Sequence, residues 1–256
     1  MALGSHATTA KKRSKLIWDI PTRAFHWLLV VAVSICLYTG FFGDFDAIDY
    51  HMLSGYGVLT LLLFRLAWGL TSKGNARFST FTPSPGIIAA YVKGTHTPAH
   101  DSHNPLGAVS VFAMLILLLL QAGTGLFAND DIFTEGPLTH LVSYETSLQL
   151  TSIHSINRWL LVGLVALHIA AILFYDLFKK QRLFITMISG NAVDADKGPI
   201  SETTDAQTAA KNNVEASLAD ASTVSTTSTL SQQQLLLASF LFGLSTLIVY
   251  GLVTYV

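Results

Sequence analysis

Four histidines are placed where iron chemistry would need them. His26 and His51 open two hydrophobic stretches, and His154 and His168 lie fourteen residues apart along a third. On a helix, fourteen residues turn through roughly 1400°, about 40° short of four full turns, so both side chains point the same way about 21 Å apart. One helix thereby offers two ligands, one near each face of a membrane. Two imidazoles closing on one iron make it six-coordinate and leave no open position for oxygen or substrate. Such a pair supports electron transfer rather than reaction at the metal. Cys36 is the only cysteine, which excludes internal disulfides and covalent C-x-x-C-H attachment, so any haem must be held non-covalently.

The elements that position these residues are set by composition. The 256 residues are 51% hydrophobic and only 12% charged, against about 25% charged in a soluble domain. This is a membrane composition. Residues 25–43, 52–70, 106–128, 156–178 and 235–256 are apolar stretches of about the 20 residues that cross a hydrocarbon core. They are continuous rather than alternating, which predicts helices and not a barrel. The expected fold is an all-α integral membrane protein: a four-helix transmembrane bundle with an additional C-terminal transmembrane helix.

The chain divides into a basic cytoplasmic tail (1–17), a four-helix domain carrying the histidines (18–190), a disordered polar linker (191–234) and a fifth transmembrane helix (235–256). The linker is rich in Ala, Ser, Thr, Asp and Gln and, as a flexible coil, would span roughly 35 Å. Where the fifth helix packs is therefore not readable. Asp19 with Pro21 is a helix-start signal. Short helices are expected around Ile87–Val92 and, as an amphipathic segment over the bundle mouth, along Leu138–Leu150. No internal repeat is evident.

Charge predicts orientation. Lys11, Lys12, Arg13, Lys15 and Arg23 precede span one, Lys73, Arg77 and Lys93 follow span two, and Lys179, Lys180 and Arg182 follow span four. The other two connections carry Asp44, Asp46, Asp49, Asp130, Asp131, Glu135 and Glu145 and no Lys or Arg. The positive-inside rule puts the N-terminus in the cytoplasm and, after a fifth span, the C-terminus outside. The first apolar run is too long for a signal-peptide core and no A-x-A-like site follows it, so it reads as an uncleaved span.

This topology places His26 and His168 at the cytoplasmic level and His51 and His154 at the outer level. The depth-matched pairs are His26 with His168 and His51 with His154. An isolated histidine near a span end is more often an interfacial residue than a ligand, but four that match in two pairs favour two stacked haems. His6, His96, His100, His103 and His140 fall in tails or loops. Arg23 and Arg158 sit one turn from His26 and His154, suited either to haem propionates or to lipid headgroups. Arg65 shares a helix stripe with His51 and would serve the inner haem or snorkel. Gly55, Gly57, Gly107, Gly123, Gly125 and Gly163 would let a macrocycle or, more simply, a neighbouring helix come close. Trp18, Trp27, Trp68 and Trp159 fall at span ends, as an interfacial belt would.

The stretches Ile17 to Trp27, His51 to Gly57, Phe64 to Gly69, His103 to Gly107, Asp130 to Pro137 and His154 to His168 resemble the bacterial di-haem cytochrome b family. That group contains the b-type subunit of nickel-iron hydrogenases and cytochrome b561. The resemblance runs over residues 16–190. It implies two b haems on His26, His51, His154 and His168, in a bundle of the bacterial cytoplasmic membrane that passes electrons between the quinone pool and a periplasmic redox partner. The linker and fifth helix lie outside it.

The first reading is therefore an electron-transfer subunit rather than a stand-alone enzyme. Its partners would be the lipid bilayer, a quinone, and a periplasmic c-type cytochrome or other redox protein. No nucleic-acid partner is expected, and homo-oligomerisation is left open. A second reading is a self-contained oxidoreductase passing electrons from superoxide or another small molecule to quinone. A third is a non-redox metal-binding membrane protein, disfavoured because zinc gathers its ligands at one locus.

Overall fold

The computed structural model describes residues 17–95, 104–132, 134–191 and 232–255. Helix α1 spans Ile20–Phe42; its start is set by Asp19, whose carboxylate accepts from the Thr22 backbone N–H at 2.9 Å, and by Pro21 in the first turn. After a one-turn 3-10 segment, α2 runs Ile48–Thr71. The next connection holds α3 (Phe78–Phe81) and α4 (Pro85–Val92), the latter capped by Ser84 and close to its expected position. Asn104 and Pro105 start α5, Pro105–Gly125. Then come α6 (Tyr144–Phe178), α7 (Leu183–Ser189) and α8 (Gln232–Tyr255).

Five of these, α1, α2, α5, α6 and α8, are long and apolar enough to cross a membrane. The amphipathic helix expected along Leu138–Leu150 is not a separate element. A single 3-10 turn covers Thr139–Leu141, and from Tyr144 the chain is already in α6, a 35-residue helix. Ser143 caps the Thr146 N–H at 3.2 Å and no Gly or Pro interrupts the run to Val162, so nothing in the backbone separates the loop part from the span. Hydropathy located the bilayer segment, whereas capping determines the helix. At about 1.5 Å per residue α6 exceeds the roughly 30 Å hydrocarbon core, so its first turns project beyond it. There Ser147, fully buried, donates to the Phe127 carbonyl at 2.8 Å and anchors α6 to the end of α5.

The bundle is two antiparallel helix pairs, α1 on α2 and α5 on α6, joined by packing of α2 on α5. Helix α2 is central, and α8 lies along it. That centrality explains why α2 is the least hydropathic span: its polar residues face protein rather than lipid. Trp68, expected in an interfacial belt, is instead fully buried, stacked on Phe64, with its indole N–H donating to Asp19 at 3.1 Å. Arg65 does not snorkel. It is 4% exposed, donates to the Ala76 carbonyl at 3.1 Å and lies 4.6 Å over the Phe78 ring, tying α2 to the connection that follows it.

Helix α8 closes the lipid side of α2. Ala238, Ser245 and Val249 are buried, recurring at helical spacing, and Phe242 meets Phe64 edge to face at 5.9 Å. The tail and the linker, which carry the disorder expectation, lie outside the described residues except for Ile17, Asn191 and Gln232, Gln233 and Gln234, and these three glutamines already belong to α8, which starts three residues before the expected boundary. His6, His96, His100 and His103 also lie outside the described residues.

Candidate functional site

Neither α1 nor α2 packs closely along α6. Between them lies a cavity of about 440 Å³ lined by α1, α2, α5, α6 and the loop after α5, within the range of cofactor and ligand cavities. Both outer-level histidines face into it. His51 is in the first turn of α2 and His154 follows three turns of α6, yet their ring centroids are 6.2 Å apart at an interplanar angle of 75°. Two metal–imidazole bonds of about 2.0 Å each, with about 1.1 Å from each nitrogen to its ring centre, require about 6.2 Å between centroids. The observed 6.2 Å between the rings equals that length.

Their Nδ1 atoms are already engaged. His51 Nδ1 lies 3.0 Å from the Cys36 carbonyl, and His154 Nδ1 lies 2.9 Å from the Gln121 carbonyl. A carbonyl only accepts, so each Nδ1 carries the proton and donates, leaving the Nε2 lone pair for a metal.

At the inner level, His26 is half-buried on α1, and its Nδ1 is buried without a hydrogen-bond partner. His168, half-buried on α6, is near enough to interact with it electrostatically. The structure thus brings His51 and His154 together at one end of the bundle and leaves His26 and His168 on α1 and α6 toward the other.

Arg158 lines the cavity beside His154. Its guanidinium donates to the Gly40 carbonyl at 3.3 Å and lies 4.6 Å over Phe41, while its Nε is buried without a partner. An anionic group inside the cavity would lie beside this side chain's positive charge. Arg23 lies outside the cavity lining: it donates to the Ile188 carbonyl and packs on Gly190, pinning α7 to the start of α1, and its Nε, like that of Arg158, is buried without a partner. Sequence reasoning offered it a propionate or a headgroup and missed this backbone partner.

The site fits a flat, metal-centred macrocycle. Gly55, which lines the cavity, has open space where a side chain would begin; Gly57, Gly123 and Gly163 have the same open space but lie outside the cavity lining. Among the described residues, no three His, Cys, Asp or Glu side chains come together to hold a metal ion, which is what the non-redox reading would require. Gly40, Thr39 and Thr124 were missed. The signal for them was the Thr-Gly dipeptide in the last turn of both α1 and α5, Thr39-Gly40 and Thr124-Gly125.

Residues 17–190 match the family model of the prokaryotic cytochrome b561. The chain belongs to that family. As a b-type cytochrome it is a multi-pass membrane protein of electron transfer that carries haem b. Among its curated relatives is the probable Ni/Fe-hydrogenase 1 B-type cytochrome subunit of Escherichia coli K12, 22% identical over 211 residues, covering 69% of this chain and 90% of that one. The probable Ni/Fe-hydrogenase B-type cytochrome subunit of Rhizobium leguminosarum bv. viciae is 23% identical over 235 residues, 77% of this chain and 97% of that one. The Rhodobacter capsulatus counterpart is 20% identical over 220 residues, 73% and 84%. No solved structure matches this cytochrome.

Proposed function

We propose that this cytochrome holds two haems b, the inner between His26 and His168 and the outer between His51 and His154, and relays electrons across the cytoplasmic membrane between quinone and a periplasmic redox partner. The observation that carries the reading is the 6.2 Å spacing of the outer rings. Each haem, when bound, supplies a one-electron couple at iron. The protein supplies the ligands, fixes their tautomers at the outer level, excludes water with the apolar walls of α1, α2 and α6, and offers Arg158 to a propionate.

The names of the relatives favour a nickel-iron hydrogenase as the partner, since they are matched over most of their own length. The N-terminus is cytoplasmic and the C-terminus periplasmic by charge distribution, which places Asp44 and Asp130 at the cavity's outer mouth. Those carboxylates oppose entry of an anion such as superoxide, which ranks the self-contained oxidoreductase second.

The test is haem stoichiometry with reduced-minus-oxidised spectra on the purified protein. His51→Ala and His154→Ala are expected to delete one b-type component, and His26→Ala and His168→Ala the other. A wild-type protein with a single component, or loss of different components by His51→Ala and His154→Ala, would overturn the pairing.

A further inference from the structure

The outer site is built twice. On α1, Cys36, Thr39 and Gly40 follow one another at the spacing of Gln121, Thr124 and Gly125 on α5. In each set the first residue's carbonyl accepts from a histidine Nδ1, at 3.0 Å for His51 and 2.9 Å for His154. The threonine stands beside the same nitrogen, 3.1 Å from His51 and 3.3 Å from His154. The glycine leaves room for the ring edge: a Cβ at Gly40 would come 3.1 Å from His51 Cε1, and one at Gly125 would come 3.0 Å from His154 Cε1. The correspondence continues one turn deeper. Ser54, three residues after His51, meets Cys36 at 3.0 Å, and Asn157, three residues after His154, meets Gln121 at 2.7 Å. Helix pairs α1–α2 and α5–α6 are thus local copies of one unit around the outer ligands, a repeat too diverged to be seen as sequence identity.

The threonine hydroxyls have a determined direction. Thr39 donates to the Ile35 carbonyl and Thr124 to the Leu120 carbonyl, both at 2.7 Å. With the proton committed to the helix backbone, each Oγ1 presents a lone pair to the histidine N–H. Each Nδ1–H is therefore shared between two acceptors. The inner centre lacks this arrangement at His26, whose buried Nδ1 has no partner.

Resting on the haem reading above, we infer that Thr39 and Thr124 are positioning residues that orient His51 and His154 and set the redox balance of the outer haem. Acceptors on the far nitrogen pull its proton away and make the imidazole a more basic ligand. A more basic ligand favours ferric over ferrous iron, so the outer couple is held lower than the same ligands would give unaided. Removing the threonine acceptors releases it upward, and the inner couple stays where it is.

The experiment is a spectroscopic redox titration of the full-length purified protein, with the outer component identified as the one absent from His51→Ala. Thr39→Val with Thr124→Val is expected to shift the outer ferric/ferrous equilibrium about tenfold toward ferrous, about 59 mV upward for one electron. The inner component should not move, and Thr39→Ser with Thr124→Ser should restore the wild-type value. Should valine expel the haem, Thr39→Ala and Thr124→Ala, which remove the acceptor and add no bulk, carry the same titration. An outer potential unchanged in haem-replete valine or alanine variants, or moved equally with the inner one, overturns the inference. Its failure is distinct from failure of the haem reading, which would already be evident in the wild-type spectrum and in His51→Ala.

Discussion

A histidine serves as a dependable ligand when its second nitrogen has something to do. In this cytochrome His51 and His154 meet that condition through backbone carbonyls of α1 and α5, groups whose acceptor capacity is normally used within the helix. Arg158 is the comparable residue for charge, with one buried nitrogen unpartnered and the guanidinium held over Phe41. Arg158→Gln is expected to remove a charge-assisted hydrogen bond to a propionate, worth about 1.5–3 kcal/mol, and to weaken outer-haem retention about tenfold to a hundredfold. Competitive haem extraction measures this, and unchanged retention would assign Arg158 to the Gly40 contact alone. Away from the histidines, Trp68→Phe would delete the indole bond to Asp19, which joins α2 to the cap of α1. A loss of about 1–3 kcal/mol in denaturation is expected because Asp19 keeps its capping role but loses a second donor.

Helices here answer to caps as much as to hydropathy. Ser143 starts α6 three turns before the bilayer segment begins, and this is what brings His154 into the span as a continuous part of a rigid rod rather than as its first residue. Helix α8 is a different kind of element. It adds Ala238, Leu237 and Leu241 to the core formed by α2, yet no residue of α8 lines the cavity. A chain ending at residue 190, the limit of the family match, is therefore expected to keep both b-type spectral components and to unfold at a lower temperature than the full chain. Differential scanning with parallel spectra checks it; loss of the haem signal would give α8 a part in the site. Gly69 is the tightest contact of α2 with its neighbours, since a Cβ there would enter the Phe78 ring. Gly69→Ala is expected to cost about 1–3 kcal/mol by overpacking, displacing the ring on which Arg65 rests.

At the scale of the whole molecule, the arrangement amounts to two pairs of histidines at different heights of the bundle with charged connections that differ between its two ends. The acidic residues Asp44, Asp46, Asp49, Asp131 and Glu135 gather at the end of the bundle where the cavity opens. Reporter fusions at the C-terminus are expected to be active only when the reporter folds outside the cytoplasm, and fusions in the connection between α3 and α4 only when it folds inside. The reverse pattern would invert the molecule and exchange the assignments of inner and outer haem. Docking of a periplasmic partner with a basic face should weaken as salt rises, since exposed charges are screened within about 10 Å at 0.1 M.

Helix type and span number were readable from residues alone, because burial in a bilayer imposes a length and an apolarity that leave a linear record. The approach of His51 to His154 was expected from the same record, since height is counted along a helix. Lateral relationships leave no such trace. That α8 lies on α2, that Arg65 turns to the Ala76 carbonyl rather than to water, that Trp68 is interior and that Arg23 meets Ile188 all depend on which helix faces which. The twofold construction around His51 and His154 is likewise a property of packed backbones: carbonyls of Cys36 and Gln121 act as acceptors whatever side chains those positions bear, so similarity of geometry survives where similarity of sequence does not.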